Sequence, residues 1–216
     1  MWNMPKPISI RDAKTLLQSS NELLSSGLTE RQLRDAVRSG ELHRVRRGWF
    51  VEGSRWKSLW PEGKHLVHVV AVARDARDSP PVFSHVSAAV VQGHPLYRYV
   101  PSRVEVRIPG PRHVTSAPDV LRHEGTLRDE DIIEVGGILT TSNEHTTFDI
   151  ARTLPLETAV ALADAALRAV AVDGHVQDEV RAAAWREAVA ARIVDGRGQR
   201  GIRQARWVVE FADGRA

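Results

Sequence analysis

The chain has 216 residues, 42% of them apolar, and a formal net charge of +3 at pH 7. That length allows one large or two small domains with a real core. It contains no cysteine, which excludes disulfides, zinc–cysteine sites and thiol nucleophiles; no apolar run approaches membrane-spanning length.

Residues 1–7 read as a loose leader. The first ten residues hold two prolines and no apolar core, unlike a signal peptide, so a cytoplasmic protein is expected. Residues 8–20 are a plausible first helix, with Ile10, Ala13, Leu16 and Leu17 on one side. It is expected to pack behind the next elements and complete a three-helix core.

Residues 21–51 read NELLSSGLTERQLRDAVRSGELHRVRRGWFV. Residues 21–26 make a short helical turn, closed by Gly27 as a left-handed stop. Thr29 opens a second helix, with Gln32 three residues on as its capping-box partner. Leu33, Ala36 and Val37 form one buried face, Gly40 ends the helix, and Arg31, Arg34 and Arg38 share the other side. Two β-rich runs follow, 42–45 and 49–51. Arg46-Arg47-Gly48 joins them, and Gly48 supplies the positive φ of a hairpin.

Helix, tight turn, helix and a basic hairpin make a winged helix-turn-helix. Its second helix fits a DNA major groove, and its wing tip can lie on the backbone. The alternative is a small helical cap with a solvated arginine face. Charge distribution favours the first. Residues 1–57 carry eleven Lys and Arg against six Asp and Glu, a net +5 that leaves −2 on the remainder. Lysine occurs only at 6, 14, 57 and 64, so arginine, the planar bidentate donor, supplies the basicity.

Residues 51–61 read as a linker with aromatic anchors at Trp56 and Trp60, which places a domain boundary near residue 57. Residues 62–77 form a helix with an apolar stripe of Leu66, Val69, Val70 and Ala73. His65 and His68 lie three apart on it with no third metal ligand nearby, and read as ordinary histidines. Residues 79–81 break the chain. Residues 84–89, SHVSAA, open a capped helix that stops at 93–95.

From Arg103 the period becomes two, with Val104, Val106 and Ile108 inward, and residues 109–111 turn the strand. Short strands at 120–124, 132–135 and 137–141 complete an antiparallel-looking patch. Asp129, Glu130, Asp131 and Glu134 read as a solvated acidic turn. The rest is helical: 143–154, then 155–171, then 175–194, then 199–211. Arg197, Arg200, Arg203 and Arg206 form a basic stripe, read first as an exposed face and second as a contact for DNA or an acidic partner. The whole is α+β, with domains 1–57 and 58–216 and a helical C-terminal half.

No catalytic constellation emerges. There is no phosphate-binding G-x-x-x-x-G-K-[ST] loop, no H-E-x-x-H, and no lysine after position 64. Adjacency of Ser84 and His85 does not make a nucleophile and its base. Asp149 reads as a local cap or partner of neighbouring hydroxyls and backbone. The chain is expected to bind rather than catalyse, with no metal or cofactor.

Three stretches together resemble the AbiEi-type antitoxin family, over nearly the whole chain: LTERQLRDAVRSGELHRVRRGWFV; SHVSAAVVQGHPL at 84–96; and TSNEHTTFDIARTLPLETAVALADAALR at 141–168. His145 stands where that family usually has Arg. The resemblance implies an antitoxin that represses its own operon, paired functionally, not stably, with a nucleotidyltransferase toxin. Many relatives carry a further endonuclease-like domain after a segment like ARWVVEFADGRA.

The expectation is therefore a sequence-specific repressor of a toxin–antitoxin operon. Arg31, Gln32, Arg34 and Arg38 would face the major groove, Arg44, Arg46 and Arg47 would form the wing contact, and Thr29 would cap the helix and donate to a phosphate. The partners implied are operator DNA and a cognate toxin, with no membrane. Two alternatives stay open: the DNA-targeting part of an endonuclease, and a protein-interaction module using the Arg197–Arg206 stripe.

Overall fold

Three capping boxes follow one another at the start of the chain, and they set its first three helices. The computed structural model describes residues 8–76, 80–107 and 117–215. Ser9 with Asp12 caps α1 (Ile10–Leu16), Ser19 with Glu22 caps α2 (Ser20–Ser25), and Thr29 with Gln32 caps α3 (Glu30–Ser39). Between α1 and α2 the chain runs extended through β1 (Gln18–Ser19). The expected helix over 8–20 is thus cut at Leu17, because the Ser19 hydroxyl accepts the Glu22 amide of a new helix instead of continuing the old one. The leader at 1–7, Ser79, Ile108 and the turn at 109–111 lie outside the described residues.

The turn from α2 to α3 closes on Gly27 at φ 105°. The Leu28 amide donates to the Leu23 carbonyl at 3.3 Å and the Gly27 amide to the Leu24 carbonyl at 3.1 Å. That crossed pair requires the left-handed residue that glycine supplies. After α3 come β2 (Leu42–Arg46) and β3 (Trp49–Glu52), with β1 completing a three-stranded antiparallel sheet in the order β1-β3-β2. Leu23, Leu33 and Phe50, flanked by Val37 and Leu42, form a small core of their own.

Helix α1 does not join that small core. Ala13 and Leu17 belong to the main core, together with Val51 and Leu59, and α1 packs on α5 (Pro61–Asp75). The main core therefore runs across residue 57. The segment expected to be a linker is also structured: α4 (Gly53–Lys57) follows β3 directly, Trp56 stacks on His43 at 4.1 Å, and Trp60 stands at the N-cap position of α5 without a side-chain bond to it.

Beyond α5 the elements are β4 (Val82–Phe83), α6 (His85–Val91), β5 (Val104–Arg107), β6 (Val120–His123), a 3-10 turn at Asp129–Asp131, β7 (Ile132–Val135) and β8 (Ile138–Thr141). Their sheet is mixed, not the antiparallel patch expected. In the order β6-β5-β4-β8-β7, β5 pairs parallel with β6 and β4 parallel with β8. Alternation along a strand reports which face is buried but not which way its neighbour runs. Every residue of α6 is buried; it packs between α5, the sheet and α7.

The C-terminal half is helical: α7 (Asn143–Thr153), α8 (Leu156–Ala171), α9 (Glu179–Asp195) and α10 (Ile202–Phe211), with a small hairpin of β9 (Val172–Asp173) and β10 (Val176–Gln177) before α9. Leu162, Ala163, Ala166 and Leu167 bury one face of α8, each leucine contributing about 1.5–3 kcal/mol. Helix α9 starts at Glu179, because Asp178 accepts the amides of Val180 and Arg181 at 2.9 and 3.1 Å. Helix α10 starts at Ile202, since Gly201 is left-handed at φ 85°. The described fold is α+β, and no described helix is long and apolar enough to cross a membrane.

Candidate functional site

Two places concentrate chemistry: the exposed arginines of the N-terminal elements, and a buried charge cluster between the mixed sheet and the C-terminal helices.

On α3, Leu33 is buried while Arg31, Gln32, Arg34 and Arg38 are exposed. Arg31 and Arg38 flank Asp35 at 3.9 and 3.1 Å, with side chains 88% and 80% exposed, so these pairs hold them loosely. The Gln32 side-chain oxygen accepts from the Thr29 amide and hydroxyl, both at 2.8 Å. That oxygen is committed to the cap. On the hairpin, Arg44 and Arg47 are exposed, and Gly48 turns the chain at φ 82°.

Arg46 leaves the expected wing set. It lies within β2 and pairs with Trp49, its side chain is 18% exposed, and its guanidinium meets Asp75 and Asp119 at 3.3 Å each. Asp75 also accepts from the Trp49 indole at 2.6 Å, and Asp119 meets His68 at 3.3 Å. A β-bulge between Arg44 and Arg46 turns the side chains apart. Arg46 ties the hairpin to α5 and to the turn before β6.

The Arg197–Arg206 stripe is broken as well. All four arginines are exposed, but Arg197 and Arg200 lie in the turns before Gly201; Arg203 and Arg206 alone belong to α10.

The buried cluster centres on Asp149 of α7, whose side chain is fully buried. It accepts both oxygens' worth of hydrogen bonds from Arg107 Nη2 of β5, at 2.9 and 3.0 Å. Arg152, one turn along α7, stands at 3.6 Å. His85 and His145 meet it at 3.4 and 3.6 Å. Asp149 is thus an ion-pair hub and not the local cap expected. Its cationic neighbours hold its pKa below the usual carboxylate range against burial, which alone would raise it.

Asp131 is likewise corrected. It is 5% exposed, unlike the rest of the acidic turn, and pairs with Arg192 of α9 and, at 3.4 Å, with His145. Arg107, His145, Arg152 and Arg192 line a cleft of about 460 Å3, with Phe148 as an apolar wall and Glu124, Thr126, Arg128 and Asp195 at its rim.

Ser84 and His85 do meet. Ser84 does not cap α6 with its side chain; its hydroxyl is 3.1 Å from His85 Nδ1. Asp149 faces that same nitrogen. A nucleophilic relay needs its two partners on opposite ring nitrogens, and Ser84 is fully buried. His85 itself has φ 50°, uncommon for a residue with a side chain, and its ring stacks on His123 at 3.7 Å. Burial, foremost, lowers its pKa to about 3.

His85, Glu105 and His123 bring ligand-type atoms within 4.8 Å of one another. His123 already bonds Glu105 at 2.6 Å, and His85 Nδ1 stands 4.0 Å from that carboxylate. Neighbouring ligands around zinc are separated by about 3.3 Å, given bonds of about 2.0–2.1 Å. The trio reads as a hydrogen-bonded stack. His65 of α5, three residues before His68, is buried and shares a 2.9 Å hydrogen bond with Ser87.

Compared with models of known protein families and with curated proteins, the chain finds no match.

Proposed function

We propose that this chain is a sequence-specific DNA-binding regulator, acting in the cytoplasm as a repressor of its own operon in the manner of the AbiEi-type antitoxins it resembles. The observation that carries the reading is the joint exposure of Arg31, Arg34 and Arg38 on α3 and of Arg44 and Arg47 on the hairpin, in a helix–turn–helix–hairpin order with its own small core. In a winged helix-turn-helix the second helix enters the major groove. Its arginines read guanine edges or phosphates, and the hairpin follows the backbone.

The resemblance adds a cognate toxin as functional partner. Arg46 is excluded from the contact set by its two carboxylate partners.

The test is a binding titration against the DNA upstream of the gene, beside scrambled DNA, at two salt concentrations. Arg34→Ala is expected to lose about 1–3 kcal/mol and to relax sequence preference. Equal affinity for both DNAs, with no change in Arg34→Ala, rules the reading out.

A further inference from the structure

The cleft beside Asp149 has a charge imbalance at its floor. Five ionised side chains meet there, each less than one-fifth exposed: Arg107, Arg152 and Arg192 against Asp131 and Asp149. His145 lies between the two carboxylates, and burial foremost lowers its pKa, so at neutral pH the ring adds no charge. At the buried floor three guanidinium groups therefore face two carboxylates, while at the exposed rim Arg128 is paired with Asp195 and Glu124 adds a further carboxylate. Arg107 takes Asp149 in a two-oxygen contact and Arg192 takes Asp131. Arg152 is left with a 3.6 Å approach to an already engaged carboxylate, a 3.3 Å bond to the Arg200 carbonyl and the face of the Phe148 ring at 5.2 Å.

A second observation is independent of charge. The Nε groups of Arg107, Arg152 and Arg192 are all buried without a hydrogen-bond partner among the described residues. Buried donors are normally satisfied, and charged ones above all. The three come from β5, α7 and α9, so they approach the cleft from different elements. A planar carboxylate is served by one guanidinium fork, whereas a tetrahedral oxyanion accepts from several directions at once. The space, about 460 Å3 with the Phe148 wall, is that of a small-molecule pocket and exceeds what a bare anion fills.

We propose that this cleft binds a phosphate group, carried by a small phosphorylated molecule or as the free ion, with Arg152 as the principal ligand and Arg107 and Arg192 as supporting donors. This site is separate from the arginines assigned to DNA and does not depend on that assignment.

The test uses the full chain, with inorganic phosphate and phenyl phosphate as probes, by isothermal titration and thermal unfolding at constant pH against chloride of equal ionic strength. Saturable binding of one phosphate per chain is expected, weakened about tenfold or more in Arg152→Gln. Thr126→Glu, on the exposed rim, places a negative charge at the mouth without touching the floor, and is expected to weaken binding even if Arg152→Gln folds poorly. Tighter binding of phenyl phosphate would identify an organic monoester as the ligand, and equal binding the free ion. A response no greater than chloride's overturns the proposal. So does a phosphate response kept in both Arg152→Gln and Thr126→Glu but lost in Arg34→Ala, which would locate it on the DNA-facing arginines.

Discussion

Arg46 of the hairpin and Asp119 before β6 lie 3.3 Å apart, joining the N-terminal elements to the sheet domain across 73 residues of chain. Asp75 completes the clamp from the end of α5. Neighbouring Arg47 makes no such contact among the described residues and is exposed. Two adjacent arginines thus stand in opposite surroundings, one clamped between carboxylates and one exposed. Arg46→Ala is expected to destabilise the fold by about 1.5–3 kcal/mol, the range for charged hydrogen bonds, with the salt dependence of DNA binding unchanged. Arg47→Ala is expected to leave stability within about 0.5 kcal/mol and to lower the salt slope by about 1. Denaturant unfolding and salt titration on both variants separate them; a changed slope in Arg46→Ala would contradict the assignment.

Asp149 holds two guanidinium groups inside the fold. Asp149→Asn leaves Arg107 and Arg152 without a counter-charge and is expected to destabilise by about 3–5 kcal/mol. Asp195→Asn, at the exposed pair with Arg128, should cost less than about 1 kcal/mol. Similar urea midpoints for the two variants would show that the hub contributes no more than a surface pair.

Stability should fall in mild acid. Burial lowers the pKa of His65 to about 3 and that of His94 to about 4. The folded state therefore resists a proton that the unfolded chain accepts near its ordinary value. This contribution is complete above that value of about 6.5 and is lost as pH falls from there towards the folded values; by about pH 5 the loss amounts to about 2 kcal/mol for each histidine. Asp131 and Asp149 act later. Their pKa values are lowered by arginine and histidine neighbours, so their contribution holds above the ordinary carboxylate value and is lost below it. Urea midpoints measured from about pH 8 to about pH 4 should drop before Asp131 and Asp149 titrate. A flat profile down to about pH 5 would contradict the buried neutral state of His65.

Gly53, where β3 passes into α4, sits against the end of α3. A Cβ built there would lie 1.9 Å from the Gly40 carbonyl oxygen, and backbone cannot yield as a side-chain tip can. Gly53→Ala is expected to cost about 3 kcal/mol through overpacking. Gly27→Ala, where nothing lies within 4 Å, should cost only the left-handed backbone penalty of about 1–2 kcal/mol. Equal melting temperatures for the two variants would remove the distinction.

The sequence by itself determined what depends on near neighbours. The Thr29–Gln32 box, the Gly27 turn, the buried face of α3 and the apolar stripes of α5 and α8 all follow from i, i+3 and i, i+4 spacing. The boxes at Ser9–Asp12 and Ser19–Glu22 carry the same signal and were equally readable, and the second explains why the first helix ends early. Only the tertiary structure decided the direction of β5 against β6, the opposite surroundings of Arg46 and Arg47, and the burial of Asp131 within an otherwise exposed acidic run. The same holds for Asp149 and its cleft. A charged residue's role is set by its partner, and here the partners lie far off in sequence: Asp149 with Arg107 across 42 residues, Asp131 with Arg192 across 61. Periodicity has no means of reporting an interaction that exists only once the sheet and the C-terminal helices have packed together.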